Sequence, residues 1–142
     1  LDKQTLSLKR ENIIFDNISY AISLTAHQHN GQLFVALTVD EKNDYIIKLL
    51  KYDPEDNKVM FREIKGRAEG KKLGVLYPEL CFGQDKFYLV YLREDPSRLF
   101  SSTVNKNNKY QLCLRNFNYN FEQESGELIL DRAFRRNRKI YA

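Results

Sequence analysis

Leu33-Phe34-Val35-Ala36-Leu37-Thr38-Val39, Asp40-Glu41-Lys42-Asn43-Asp44, Tyr45-Ile46-Ile47-Lys48-Leu49-Leu50-Lys51-Tyr52 and Asp53-Pro54-Glu55-Asp56-Asn57 follow one another without a break, and this stretch decides the fold. The first and third pieces are runs of strand formers, and the charged piece between them reads as a hairpin loop. In the third piece Tyr45, Ile47 and Leu49 alternate with Ile46, Leu50 and Tyr52. Both faces are therefore largely apolar, which predicts a central strand covered on both sides. Pro54 supplies the fixed φ that the second position of a turn requires. Residues 58–64, with Val59, Phe61 and Glu63 on one side, return as a third strand, and three antiparallel strands in sequence make a meander.

Lys65-Gly66-Arg67-Ala68-Glu69-Gly70-Lys71-Lys72 is a polar, glycine-punctuated connection. Beyond it the pattern resumes, with strands expected over 86–92, 110–117 and 127–130. The two halves, 19–66 and 73–130, can be laid over each other. Leu33-Phe34-Val35-Ala36-Leu37 falls on Phe87-Tyr88-Leu89-Val90-Tyr91, and the run from Tyr45 to Tyr52 falls on the run from Tyr110 to Phe117.

Leu50-Lys51-Tyr52-Asp53-Pro54-Glu55-Asp56-Asn57-Lys58 resembles the outer hairpin of a β-propeller blade of the kelch sort. There a strand runs into Tyr-Asp-Pro and a turn containing Asn. The resemblance implies four-stranded blades. The chain departs from that pattern: the glycine pair and the tryptophan are missing, and Phe117-Asn118-Tyr119 stands where the second Tyr-Asp-Pro belongs. Propellers have about four to eight blades. Two blades imply a fragment of a longer chain or one protomer of a ring. A compact antiparallel sandwich or barrel is the alternative.

Nine Phe and nine Tyr among 142 residues, with no Trp and three Pro, agree with β structure. At 42 % apolar and 30 % charged, the composition belongs to a globular domain rather than a disordered chain. No apolar run approaches the roughly 18 residues of a membrane helix, and no signal peptide is recognisable. Leu1 in place of a methionine implies that sequence upstream is missing. Cys81 and Cys113 belong to no C-x-x-C motif and are flanked by apolar residues, so buried, reduced thiols in an intracellular protein are expected. One disulfide in a secreted protein is the alternative, and only there would the sequon Asn17-Ile18-Ser19 count.

Chemistry-bearing groupings are few. His27 and His29, two apart on a strand, share a face, but a zinc site takes roughly three or four protein ligands and spacing nominates no other. Exposed histidines beside an Asn30-Gly31 turn are the plainer expectation. Asp53, Glu55 and Asn57 mimic the start of a calcium loop, yet Lys58 stands where its glycine belongs and no closing glutamate follows. No nucleophile-elbow, phosphate-loop or dinucleotide motif occurs. Catalysis is not expected, and dispersed carboxylates are the one enzymatic reading left open. No metal or cofactor is assigned.

Two segments are candidate contact regions. The connection over 95–109 is long for a compact domain, and within it Leu99 and Phe100, beside Arg98, are either anchors for the loop or an exposed peg for a partner. Arg132, Arg135, Arg136, Arg138 and Lys139 concentrate positive charge near the end, which would bind phosphates in a salt-dependent way or remain a solvated tail. Asp131 there reads either as the cap of a short helix carrying Ala133, Phe134 and Tyr141, or as the end of a last strand.

The expectation is a single all-β, mainly antiparallel domain over 1–142, with a basic segment at 131–142. It functions as a non-catalytic protein–protein interaction module, either part of a larger chain or a homo-oligomer, with no membrane span. The alternative is nucleic-acid binding through the basic segment and surface aromatics, with Lys65, Arg67, Lys71 and Lys72 as a second basic group.

Overall fold

The computed structural model describes residues 18, 20–42, 44–68, 70–96 and 109–135. Its elements are all strands, and every pairing between them is antiparallel. β1 (Ala21–His29), β2 (Gln32–Glu41), β3 (Asp44–Asp53) and β4 (Lys58–Ile64) form one meander and lie in that order across the first sheet. A ribbon of β5 (Gly66–Ala68) and β6 (Lys71–Leu73) follows. β7 (Val75–Phe82), β8 (Lys86–Glu94), β9 (Lys109–Asn118) and β10 (Leu128–Arg135) form the second meander, again in chain order. The sheets do not close into a barrel.

β3 is buried on both faces, as its two apolar alternations require. Asn30-Gly31, at φ 49° and 74°, makes the two-residue turn with positive φ at both positions that joins β1 to β2. The connection over 65–72 is more ordered than its polarity predicts: Gly66, Arg67 and Ala68 pair with Leu73, Lys72 and Lys71. Gly66 admits this because a Cβ there would lie 2.5 Å from the Leu73 carbonyl oxygen.

The short C-terminal helix is not formed over the described residues. Instead β10 continues through Asp131 to Arg135, paired with β9. Register shifts at Ile129/Asp131 and Asp131/Phe134 break the strict alternation, and that irregular spacing is what imitates a helical period. The two cysteines are free, but only Cys113 is buried; Cys81 is exposed, contrary to expectation. Its place in β7 puts it directly beside Tyr88, on the face turned away from the first sheet.

The core lies between the sheets. Phe34, Ala36, Ile47, Leu49 and Ile64 of the first sheet pack against Leu80, Phe87, Leu89, Tyr91, Cys113 and Phe117 of the second, with Phe121 closing one end. β7 lies against β1, β2 and β3.

The two sheets stack with a defined polarity. A two-residue hairpin closes on a hydrogen-bonded pair, so Gln32, Phe34 and Ala36 turn their backbone polar groups toward β1. The Phe34 and Ala36 side chains face the second sheet. In the second meander the Gly83 N–H donates to the Lys86 carbonyl at 2.8 Å. Bonded pairs recur at every second residue, so Tyr88 and Val90 turn their polar groups toward β7. For L-residues, strand direction and the side taken by the backbone polar groups together fix the side-chain face. Tyr88 and Val90 are thus the counterparts of Phe34 and Ala36, yet they point away from the first sheet. The stack is head to tail, each sheet presenting the same face forward.

Phe87 is fully buried at the centre of this interface. Phe87→Ala is expected to lower unfolding free energy by about 3–5 kcal/mol, measured by urea denaturation.

Candidate functional site

Four places on the molecule gather polar, titratable or exposed apolar side chains. The most polar lies at one end of the inter-sheet core. Glu127 accepts hydrogen bonds from Arg93 and from the Tyr91 hydroxyl, and its Oε2 lies 3.3 Å from Arg115 Nη2. Arg93 also donates to Gln111 Oε1 at 2.5 Å, and Arg115 to the Lys65 carbonyl at 3.3 Å. One carboxylate thus holds two guanidinium groups, while Arg93 Nε and Arg115 Nε are buried without a hydrogen-bond partner. Burial holds the Tyr91 phenol well above the usual tyrosine range. Burial, reinforced by the Glu127 carboxylate, pushes the Cys113 thiol up to about 11. A thiol kept protonated is a poor nucleophile, and the cluster ties β8 and β9 to the approach to β10.

The histidines form the second place. His27 and His29 share the inner face of β1, as their spacing predicts, beside the Asn30-Gly31 turn; the His27 side chain is 41 % exposed, while His29 is half-buried between aromatic rings. His29 stacks between Phe82 at 4.7 Å and Tyr119 at 5.4 Å between ring centroids. His27 Nε2 lies 2.9 Å from Thr25 Oγ1 and 4.0 Å from Glu79 Oε2. The hydroxyl and the carboxylate meet the same ring nitrogen. A hydroxyl–imidazole–acid relay needs them on opposite nitrogens, so the geometry does not make a nucleophile of Thr25. Among the described residues no group of three His, Cys, Asp or Glu side chains is placed to hold a metal ion. Asp53, Glu55 and Asn57 form a turn: Asp53 Oδ1 accepts the Glu55 N–H at 3.0 Å, and Asn57 Oδ1 accepts the Tyr52 hydroxyl at 3.1 Å.

The third place is the outer face of the second sheet. Val90, Leu114 and Leu128 are direct neighbours across β8, β9 and β10. Val90 and Leu114 are half-buried, and Leu128 is 56 % exposed. Tyr88 and Asn116 form the adjoining row, with Cys81 beside them on β7. This face was not legible as a surface, because alternation along β8 shows two apolar faces without saying which is covered.

The fourth is the β5–β6 ribbon, where Lys65, Arg67, Lys71 and Lys72 are exposed. Arg67 stands directly opposite Lys72. Lys65 pairs with Glu63 at 3.1 Å and Lys72 with Asp44 at 3.6 Å.

Arg98, Leu99 and Phe100 lie outside the described residues, as do Arg136, Arg138 and Lys139. Arg132 and Arg135 fall on β10, where only the backbone is described. Among the described residues no helix is long and apolar enough to cross a membrane. Comparison with family models, curated proteins and solved structures finds no match to this chain.

The two thiols report on this arrangement. At pH 8 iodoacetamide is expected to modify Cys81 in the folded protein and Cys113 only after denaturation, as peptide mapping would show. The unfolded Cys113 thiol ionises near its ordinary 9.0, whereas the folded one keeps its proton to about 11. Its contribution to stability is therefore complete below pH 9 and lost as pH rises toward 11. Urea midpoints are expected to fall over that interval, less steeply in Cys113→Ala.

Proposed function

We propose that the domain is a non-catalytic protein–protein interaction module whose docking surface is the outer face of the β7–β10 sheet. The observation behind this reading is the exposure of Leu128 in one apolar row with Val90 and Leu114. Contiguous exposed apolar surface commonly marks an interaction site. Arg98, Leu99 and Phe100 enter the proposal as further contacts, since their segment joins β8 to β9. Two like meanders stacked with the same face forward support treating them as blade-like repeats.

Affinity capture with the native chain and with Leu128→Lys tests the reading. At least one protein held by the native chain is expected to be retained ten times less by the variant, with the melting transition unchanged. Identical captured sets would count against this face.

Nucleic-acid binding is the second reading, favoured by Arg67 opposite Lys72. Like charges directly across a ribbon cost stability, which an anionic partner would relieve. The basic residues 132–139 would extend the same attraction. Fluorescence anisotropy with a labelled oligonucleotide is expected to show binding that weakens steeply with salt and is lost in Arg67→Glu/Lys72→Glu. Absence of binding at low salt would remove this reading.

A further inference from the structure

We propose that the outer face of the first sheet is the docking site of this chain's own N-terminal segment, residues 1–17, laid along β2 and β3 as an apolar strap. This contact lies on the other sheet from the docking face proposed above and stands independently of it.

The face is buried along its middle and open along its flanks. Val35, Leu37 and Val39 of β2 and Ile46 and Leu50 of β3 form an apolar cluster on it. Val39 and Ile46 are 1 % exposed and Leu50 2 %. Their same-face neighbours on the edge strands are not covered: Leu24, opposite Leu37, is 66 % exposed, and Phe61, opposite Leu50, is 45 % exposed. Side chains stand roughly perpendicular to a sheet, so neighbours within the sheet shield their sides and leave their tips in water. Burial this complete needs a layer above the tips. Among the described residues the cluster contains members of β2 and β3 alone, and the second sheet lies on the opposite side. The cover is also narrow. It shields two strands and leaves the flanks on β1 and β4 bare, which fits one extended chain and not another sheet.

Connection, length and composition name the segment. The Asp40 N–H donates to the Tyr20 carbonyl at 3.0 Å, and Ala21 pairs with Val39. The chain therefore enters the first sheet at one end of the buried stripe. From Val39 to Leu33 the stripe runs about 20 Å, at roughly 3.3 Å per residue. Residues 6–15 alone span about 30 Å when extended. Within residues 1–17, Leu6 and Leu8 alternate with Thr5, Ser7 and Lys9, and Ile13-Ile14-Phe15 follows. Alternation of that kind suits an extended chain with one apolar side.

The other segments of the chain fit this face less well. Residues 97–108 join β8 to β9 and so begin and end in the second sheet. Residues 136–142 follow β10, which lies at the edge of the second sheet away from β7. Each would have to pass round an edge of the first sheet to reach its outer face, whereas residues 1–17 are joined to that sheet directly. Residues 136–142 also bring only Ile140 and Tyr141 as large apolar side chains.

Photo-cross-linking of the full chain tests the strap. A benzoylphenylalanine probe in place of Leu24 or of Val59, both exposed beside the stripe, is expected on irradiation to join peptides from residues 1–17 within a monomer of 16.8 kDa. Leu6→Asp/Leu8→Asp/Ile14→Asp should abolish those cross-links and raise the fluorescence of the dye ANS, which binds uncovered apolar surface. Cys113, buried in the inter-sheet core, should stay closed to iodoacetamide in that variant, showing that the core persists. Cross-links from both probes to residues 97–108 or 136–142, to a second copy, or to no peptide at all would overturn the proposal. So would cross-links to residues 1–17 that survive the triple substitution with Cys113 still protected. If the triple variant instead unfolds, with Cys113 alkylated, the cross-links of the two single probes decide alone.

Discussion

Aromatic packing between the two sheets is the contact on which the other features depend. Phe87 meets Phe34 edge-on at 5.3 Å, stacks on Phe117 at 5.4 Å and lies 5.6 Å from Phe121. Each sheet alone would leave one large apolar face in water, and a sheet must bury such a face against another layer. The aromatic rings meet that need with few polar groups between the layers. They also set the polarity: β8 turns Phe87, Leu89 and Tyr91 inward, so Tyr88 and Val90 must point out. The exposed row that ends at Leu128 is thus a direct consequence of which alternation of β8 carries the bulkier rings.

Much of this architecture could be read from the sequence, because strands report themselves through a period of two. The runs at 33–39, 45–52, 58–64, 86–92 and 110–117 are visible as strands for that reason, and the Asn30-Gly31 and Pro54 turns mark their ends. β7 was harder to see, since Pro78 interrupts it and a bulge between Leu76 and Glu79 shifts its register. β10 read equally as a helix because two register shifts disturb its alternation. The surface was the least legible part. Cys81 has the apolar neighbours of a buried thiol, but the face it occupies is decided by the stacking of a second sheet, which is not encoded locally. The Glu127 cluster was missed for a related reason. Arg93, Gln111, Arg115 and Glu127 are scattered along the chain and meet only because β8 and β9 pair side by side.

The polar groups that enter the inter-sheet layer explain how a mostly apolar interface acquires a single alignment. Lys51 donates to the Tyr119 carbonyl, and Arg62 donates to the Phe121 carbonyl at 2.6 Å while its guanidinium lies 5.5 Å from the Phe117 ring. Arg115 reaches across to the Lys65 carbonyl, and the Tyr77 N–H donates to Thr38 Oγ1 at 3.0 Å. Hydrophobic attraction is not directional, so phenylalanine rings alone would permit one sheet to slide over the other. A slide would strip these partly buried cations of their acceptors, and a hydrogen bond lost from a charged group is among the more costly ones to leave unmade. Burial lowers the Lys51 pKa, with the Asp53 carboxylate acting against it. The segment between β9 and β10 supplies two of these carbonyls and, at Glu127, the carboxylate that binds Arg93 and Arg115. That segment fixes the alignment of the stack, and β10, with Leu128 at its start, is placed by it. The position of the exposed row is therefore set from inside the molecule, by cations of the first sheet that must find their acceptors in the second.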